Sequence, residues 1–187
     1  AARPSDAFDV AFESCRIALQ HMTPVMMLSD GYIANGAEPW KFPKSADLPE
    51  IKVEFAKPIE DGATYLPYKR DEKLSRPWAI PGTKGLEHRI GGLEKANETG
   101  NISYDADNHE FMVKLREEKV ERIADYIPLQ TIESGRSKGK VLVVGWGSTY
   151  GSIQSAVNHL LADGYEVAHA HIRYLKPFPK NLGEILF

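Results

Sequence analysis

Polar residues that follow a predicted strand are the first candidates for chemistry in this chain. Ser29, Asp30 and Gly31 come directly after the apolar run Pro24–Leu28. Because open α/β sheets bind ligands at the carboxyl ends of their parallel strands, these three residues are predicted to lie at a ligand-binding edge. Asp-Gly is also ordinary turn chemistry, so Asp30 could instead accept backbone hydrogen bonds without touching a substrate. Three further residues follow within reach of the same edge: Asn35, Glu38 and Trp40.

A glycine turn is the second candidate. Gly145, Gly147 and Gly151 stand between an apolar run and a helical pattern, where backbone amides can approach a phosphate. The spacing is one residue longer than the usual dinucleotide fingerprint. The acidic residue Glu166 begins the next predicted strand, whereas a ribose-binding acid would end it. We therefore favour close strand–helix packing over a nucleotide-binding module, and predict that the turn does not bind NAD.

Histidines form a third group. His169 and His171 alternate along a predicted strand and so share one face, and His159 lies on the preceding helix. Two histidines spaced in this way can ligate zinc, but no second pair of ligands accompanies them. Hydrogen-bonded histidines at a sheet or interface are the favoured interpretation. The remaining polar cluster, Glu87 to Arg89, is interpreted as a surface or an interface, and spacing assigns no nucleophile–base pair.

The last fifty residues contain the strongest structural pattern. Val141–Val144 is predicted to be a strand buried on both faces, and 153–162 a helix ended by Asp163 and Gly164. Tyr165–Ile172 is a second strand, so the order predicts a parallel crossover. Residues 181–187 begin a further helix. Two parallel strands cannot cover both faces of a sheet, so we expect the chain to be a piece of a larger protein.

The N-terminal pattern is a helix followed by a short buried strand over Pro24–Leu28. Ser5 is predicted to cap the helix, and Thr23-Pro24 to end it. The only cysteine, Cys15, is predicted to be a small buried residue on the apolar side. The predicted apolar positions are Phe8, Ala11, Phe12, Cys15, Ala18, Leu19 and Met22.

Residues 34–105 hold most of the prolines together with Trp40 and Trp78, and only Ile51–Phe55 alternates as a strand does. We interpret this segment as an ordered, extended arm that packs against neighbouring domains. A helix is predicted to start at Asp107 and to end at Pro128, with a polar hinge and domain boundary over 134–139. Its predicted apolar positions are Met112, Val113, Leu115, Val120, Ile123 and Ile127.

Composition excludes several classes of protein. A net charge of −3 gives no basic surface for nucleic acid, and the longest apolar run is too short to span a membrane. A single cysteine cannot form an internal disulfide or hold an iron–sulfur cluster within this chain. We therefore predict a cytoplasmic protein without nucleic-acid or membrane partners.

Four strings together resemble one family. They are 24–40 (PVMMLSDGYIANGAEPW), 85–109 (with GLEH, GNISYD and NH), 143–151 (VVGWGSTYG) and 168–179 (AHAHIRYLKPFP). They are similar to the alpha subunits of 2-oxoacid:ferredoxin oxidoreductases, most of all to the 2-oxoglutarate enzymes (2-oxoglutarate synthases). The resemblance implies an α/β chain in three parts: residues 1–45 end a thiamine-diphosphate pyrimidine-type domain, 46–138 form a linking arm, and 139–187 begin a transketolase C-terminal-like domain.

The same resemblance implies a function that belongs to an assembly. The family's beta subunit carries the diphosphate end of thiamine diphosphate, Mg²⁺ and an iron–sulfur cluster, so the cofactors are held mainly outside this chain. The implied reaction is oxidative decarboxylation of a 2-oxoacid with coenzyme A, and ferredoxin takes the electrons. No residue here matches the carboxylate that activates the cofactor. Ser29, Asp30 and Gly31 are placed near the cofactor edge, and the chain alone is expected to be inactive. The alternatives are a non-catalytic module that organises subunits and a nucleotide-binding module.

Overall fold

The computed structural model describes residues 1–60, 62–137 and 139–187. The chain divides into two compact units. The first contains Ala1–Cys15, Val25–Leu48 and Ala124–Phe187, and the second contains Arg16–Pro24 and Pro49–Ile123. The three-part division inferred from the resemblance stays a prediction, and Lys138 of the predicted hinge lies outside the described residues.

The regular elements follow one another with long irregular connections. In chain order they are α1 (Ala7–His21), α2 (Gly31–Asn35), α3 (Ala106–Arg122), β1 (Val141–Trp146), α4 (Tyr150–Ala162), β2 (Val167–Ile172) and α5 (Leu182–Leu186). None of the helices described here has both the length and the apolar character needed to cross a membrane.

The sheet of the first unit confirms the predicted strand–helix–strand order. β1 and β2 are parallel, with Val141 opposite Val167 and Trp146 opposite Ile172. Helix α4 connects them and ends as predicted, because Asp163 caps it and Gly164 follows in a left-handed conformation (φ 85°).

The prediction that the first strand is buried on both faces is wrong. Val141 is 56% exposed and Val144 is 39% exposed, whereas four of the six residues of β2 are less than 6% exposed. The backbone of Glu133 and Ser134 pairs with His169 along the outer edge of β2. Within the described residues β1 pairs only with β2, so its side chains lack neighbours on one side.

Helix α1 buries a different side from the predicted one. Ile17 and His21 are the buried residues of this helix, whereas Cys15 is exposed. Successive residues turn by about 100° around a helix, so Cys15 lies about 200° from Ile17. The prediction of a buried Cys15 is therefore wrong. The helix also begins after a 3₁₀ turn over Pro4–Asp6, so Ser5 precedes the helix without capping it.

Two predicted strands do not form. Residues 24–28 are extended without strand pairing, and Met26 and Leu28 are 86% and 57% exposed. Over 51–55 the backbone makes only an isolated bridge between Phe55 and Trp78. Apolar alternation alone does not make a strand, because a strand requires a partner along its hydrogen-bonding edge.

Helix α3 starts at Ala106, one residue earlier than predicted, and ends at Arg122 before a 3₁₀ turn over Ile123–Asp125, so it does not extend to Pro128 as predicted. Asp105 caps it by accepting a hydrogen bond from the Asn108 N–H at 2.6 Å, so Asp107 is not the cap. The buried positions Met112, Ile123 and Ile127 match the predicted apolar side, whereas Val113, predicted on the same side, is 45% exposed. Lys119 of the same helix is half-buried and donates to the Met22 carbonyl at 2.8 Å. Burial lowers the pKa of Lys119 to about 8.

Candidate functional site

The predicted Ser29–Gly31 edge is exposed in the first unit and forms the start of α2. Asp30 caps the helix, because its Oδ1 accepts the Ile33 N–H at 3.0 Å. Its Oδ2 accepts a hydrogen bond from the Ser148 hydroxyl. The Ser148 hydroxyl, followed by the Ile33 N–H, holds the pKa of the Asp30 carboxyl below its ordinary value. Both carboxylate oxygens therefore have structural partners in a charged state.

Glu38 is engaged in structural contacts. It accepts the Ser5 N–H at 2.9 Å and faces Arg3 at 3.8 Å. Its hydrogen bonds with Ser5 hold the pKa of the carboxyl below the ordinary value. Trp40 is 44% exposed, and its ring centroid lies 5.6 Å from that of Phe8. The sequence did not reveal that Ser5 and Glu38 are paired.

The glycine turn is shaped by packing. A side chain on Gly145 would collide with Ile153 and would lie 2.8 Å from Thr149 Oγ1, which confirms close strand–helix packing at this position. Gly147 has φ +61°, a conformation that favours glycine. The third glycine differs, because nothing lies within 4 Å of a side chain added at Gly151.

His169 and His171 lie on one face of β2, as predicted. The Tyr150 ring packs against both, with centroid distances of 5.6 and 4.9 Å. His169 is fully buried and its Nδ1 is 3.1 Å from the Gln154 amide oxygen. Burial lowers the pKa of His171 to about 4 and also lowers that of His169, so both rings are neutral near pH 7. His159 is exposed on α4, and the described residues contain no group of three potential metal ligands.

A cavity of about 280 Å³ adjoins this histidine face. Its walls include Arg3, Asp6, Glu133, Tyr150, His171 and Arg173. Because two cationic and two anionic side chains line it, the cavity has no strong preference for one sign of charge.

The Asp6–Arg173 ion pair was missed by the sequence analysis. Arg173 follows β2 directly, and its guanidinium donates to Asp6 Oδ1 at 2.6 Å. Asp6 is 8% exposed and also accepts the Ala2 N–H at 2.8 Å. Burial opposes ionisation, but the Ala2 N–H and the guanidinium outweigh it and hold the pKa of Asp6 below its usual value. No local sequence signal joins residues 167 positions apart.

The polar clusters of the second unit are structural. Glu87 accepts the Gly85 N–H at 2.8 Å, and His88 Nδ1 is 2.8 Å from the Leu86 carbonyl oxygen. The sequence analysis missed Glu94, whose carboxylate pairs with Arg116 at 3.1 Å and with the His109 ring at 2.7 Å. The hydrogen bonds from Arg116 are the largest cause that lowers the pKa of Glu94 to about 2.

A family model matches residues 1–108, and its description is pyruvate flavodoxin/ferredoxin oxidoreductase, thiamine diP-bdg. The 2-oxoglutarate oxidoreductase subunit KorA of Mycobacterium tuberculosis is 52% identical over 184 residues, which cover 98% of this chain and 27% of that protein. The 2-oxoacid:ferredoxin oxidoreductase 1 subunit alpha of Aeropyrum pernix is 30% identical and is matched over 97% of this chain and 28% of its own length. The chain thus spans little more than a quarter of the length of these relatives.

A solved structure shares the fold. It is 2-oxoglutarate:ferredoxin oxidoreductase from Magnetococcus marinus with 2-oxoglutarate, coenzyme A and succinyl-CoA bound. The TM-score is 0.81 at 28% sequence identity, and the match covers 96% of this chain and 31% of the other. The resemblance inferred from the four sequence strings is therefore confirmed.

Proposed function

The chain belongs to the pyruvate flavodoxin/ferredoxin oxidoreductase family of thiamine-diphosphate-binding domains, and from this premise we propose that it works as part of an oxidoreductase alpha subunit. The proposed reaction is decarboxylation of 2-oxoglutarate with transfer of the succinyl group to coenzyme A and of electrons to ferredoxin. The 52% identity to KorA over 98% of the chain is the observation that carries this proposal. Localisation in the cytoplasm is part of the same proposal.

Bound thiamine diphosphate supplies a nucleophilic carbon, and a carboxylate next to its aminopyrimidine ring is needed to generate it. Both carboxylate oxygens of Asp30 accept hydrogen bonds, from the Ile33 N–H and the Ser148 hydroxyl, so we assign Asp30 a structural role. Ser29, Asp30 and Gly31 are exposed, and the nearest atom to a side chain added at Gly31 is Asn35 Nδ2 at 3.9 Å, so this edge is open to solvent. We therefore assign Ser29, Asp30 and Gly31 to the shape of the cofactor edge and assign no proton transfer to them.

The partners in this proposal are a beta subunit and ferredoxin. The beta subunit would bring Mg²⁺, the diphosphate site and the iron–sulfur cluster. Cys15 is the only thiol here and a cluster held by cysteines requires several, which supports placing the cluster outside this chain.

Two exposed aromatic rings favour a second role, in organising subunits. They belong to Trp40 and Phe42, in the Val25–Leu48 segment of the first unit. Trp40 is 44% exposed and Phe42 is 79% exposed, with their ring centroids 5.3 Å apart. Rings paired in this way form a rigid apolar surface that suits a protein interface. This role is compatible with the proposed enzyme and does not require the chain to bind a nucleotide.

The test compares residues 1–187 alone with the assembled alpha–beta enzyme that contains them. We expect the assembled enzyme to reduce a one-electron dye only when 2-oxoglutarate, coenzyme A and thiamine diphosphate are all present. The chain alone should show no turnover and no visible absorbance from a cluster. The same assay with pyruvate or 2-oxoisovalerate in place of 2-oxoglutarate tests which 2-oxoacid the enzyme uses. Turnover by the chain alone, or failure of the assembly with every 2-oxoacid, would contradict the proposal.

A further inference from the structure

Three cationic side chains of the second unit belong to one cluster. Arg70 and Arg76 flank the Tyr68 ring, with their guanidinium carbons 5.7 and 4.2 Å from its centroid. Arg70 Nη2 also lies 3.6 Å from Met112 Sδ on α3. Lys119 follows Met112 by about two helical turns and therefore lies on the same side of α3. The cluster thus runs along one side of this helix.

The cluster is bonded to neutral groups in the part of the chain that the structure describes. Its hydrogen bonds run from Arg70 to the Asn97 amide oxygen (2.8 Å), from Arg76 to the Pro67 carbonyl (3.0 Å) and from Lys119 to the Met22 carbonyl (2.8 Å). All three cations are partly buried, and charges removed from water are normally paired with a charge of opposite sign. The cluster therefore carries positive charge that its own hydrogen bonds do not neutralise.

The electrostatics at Lys119 show the same excess of positive charge. Burial is the largest cause that lowers its pKa to about 8, followed by the two arginines, whereas Asp71 has a smaller effect in the opposite direction. Asp71 Oδ1 already accepts the N–H groups of Lys73 and Ser75, at 2.9 and 2.8 Å. Asp71 therefore holds its own loop and compensates the cluster only in part.

The loop that carries Arg76 contains a further unsatisfied group. Ser75 is 3% exposed, and its hydroxyl has no hydrogen-bond partner among the described residues. Buried hydroxyls are normally hydrogen-bonded. An unpaired hydroxyl next in sequence to a cation without an anionic partner favours a ligand that is rich in acceptor oxygens.

We propose that Arg70, Arg76 and Lys119 bind a tetrahedral oxyanion of the phosphate or sulfate class. Guanidinium groups match pairs of oxygens in such anions, and the lysine ammonium adds a compact positive charge. A free inorganic anion and the phosphate group of an ester present the same oxygens to this cluster. The site is independent of the proposed function, since it requires neither thiamine diphosphate nor a 2-oxoacid.

The first experiment locates the anion in the full-length protein, together with any subunit that co-purifies with it. Selenate is the probe, because it is a tetrahedral dianion like sulfate and selenium gives an anomalous X-ray signal. Soaked crystals should show an anomalous peak within hydrogen-bond distance of Arg76 and Lys119. Peaks at other places only, which mean an adventitious ion only, would overturn the proposal. So would a carboxylate of another domain or subunit lying among the three cations.

The second experiment measures sulfate affinity by calorimetric titration at constant ionic strength, with chloride as the balancing anion. Lys119→Met should weaken sulfate binding roughly ten- to hundred-fold, the range for losing one charged hydrogen bond. Lys114→Met is the matched control, because Lys114 lies on the same helix, pairs with Glu110 and has a 73% exposed side chain. Equal affinities of the wild type and Lys119→Met, or equal losses in the two variants, would contradict the site. If Lys119→Met does not fold, the selenate map decides.

The pH dependence gives a readout that a folding defect would not reproduce. Sulfate stays a dianion between pH 7 and 9, whereas the charged fraction of Lys119 falls roughly ten-fold with a pKa of about 8. The nearby His21, whose pKa burial lowers to about 4, stays neutral over this interval. Wild-type affinity should therefore fall by up to roughly ten-fold, and that of Lys119→Arg should stay nearly constant because arginine remains charged. The same pH dependence in both proteins would count against the site.

Competition distinguishes the two sources of the anion. Inorganic phosphate and glycerol 3-phosphate, an ester, are titrated against bound sulfate. Displacement by both supports an open site that accepts a phosphate ester, and displacement by inorganic phosphate alone supports a closed site for the free anion. Displacement by neither would overturn the proposal.

Discussion

The contact between β1 and α4 makes Gly145 the most informative position for a stability test. In Gly145→Ala the new methyl group would overlap Ile153 Cδ1 and would lie 2.8 Å from Thr149 Oγ1. Ile153 can rotate away in part, but the Thr149 hydroxyl is held by its 2.7 Å hydrogen bond to the Trp146 carbonyl. Overpacking of this kind costs about 1–3 kcal/mol. We therefore expect Gly145→Ala to lower the free energy of unfolding by about 2 kcal/mol.

Gly151→Ala is the matched control. Gly151 lies in the first turn of α4, and nothing is within 4 Å of the added carbon. Glycine inside a helix is less stable than alanine by roughly 0.5–1 kcal/mol, so this variant should be slightly more stable than the wild type. Urea titration and thermal unfolding should be compared for both variants and the wild type. Gly145→Ala should melt about 4–8 °C lower, given the usual response for a chain of this size. Equal stability of the two variants would refute the packing argument.

Three further outcomes are expected. Trp40→Ala should weaken alpha–beta assembly or thiamine-dependent activity more than Lys44→Ala, because truncating a paired aromatic ring removes a large apolar contact; equal assembly and activity for both, measured by co-purification and dye reduction, would contradict this. Burial lowers the pKa of His21 to about 4, so the folded state resists its protonation and stability should fall as the pH drops from about 6.5 to 4; urea titrations across this interval should show a weaker pH dependence for His21→Gln. The Gly145–Gly151 turn should not bind NAD, and calorimetry showing micromolar affinity would disprove that prediction.

The strand–helix–strand segment was predictable because its signals are local. Val141–Val144 is a compact apolar run, and Asp163-Gly164 provides both the cap and the left-handed residue that end α4. Such signals need no information about distant segments. The helix over α3 was predicted for the same reason, although its cap is Asp105 rather than Asp107.

The errors have a common physical cause. The burial of a helix face and the pairing of a strand depend on segments that are distant in sequence, and local residue patterns do not identify those segments. The pattern in α1 shows which side is apolar, but the fold buries Ile17 and His21 and exposes Cys15. Residues 24–28 have strand-like composition, yet a strand forms only where another edge pairs with it. The Asp6–Arg173 pair likewise depends on two segments 167 positions apart.

The candidate site shows the same division between local and distant information. The sequence placed Asp30 at a turn and kept both a structural and a ligand-facing role open. The local part is the N-cap of α2, in which Asp30 accepts the Ile33 N–H. It follows from the residue types around Asp30. The distant part is the Ser148 hydroxyl, which donates to the second carboxylate oxygen and gives Asp30 a structural contact on both oxygens. A carboxylate used in this way shapes the start of α2, and in the proposed enzyme we expect the carboxylate that activates the cofactor to come from another part of the assembly.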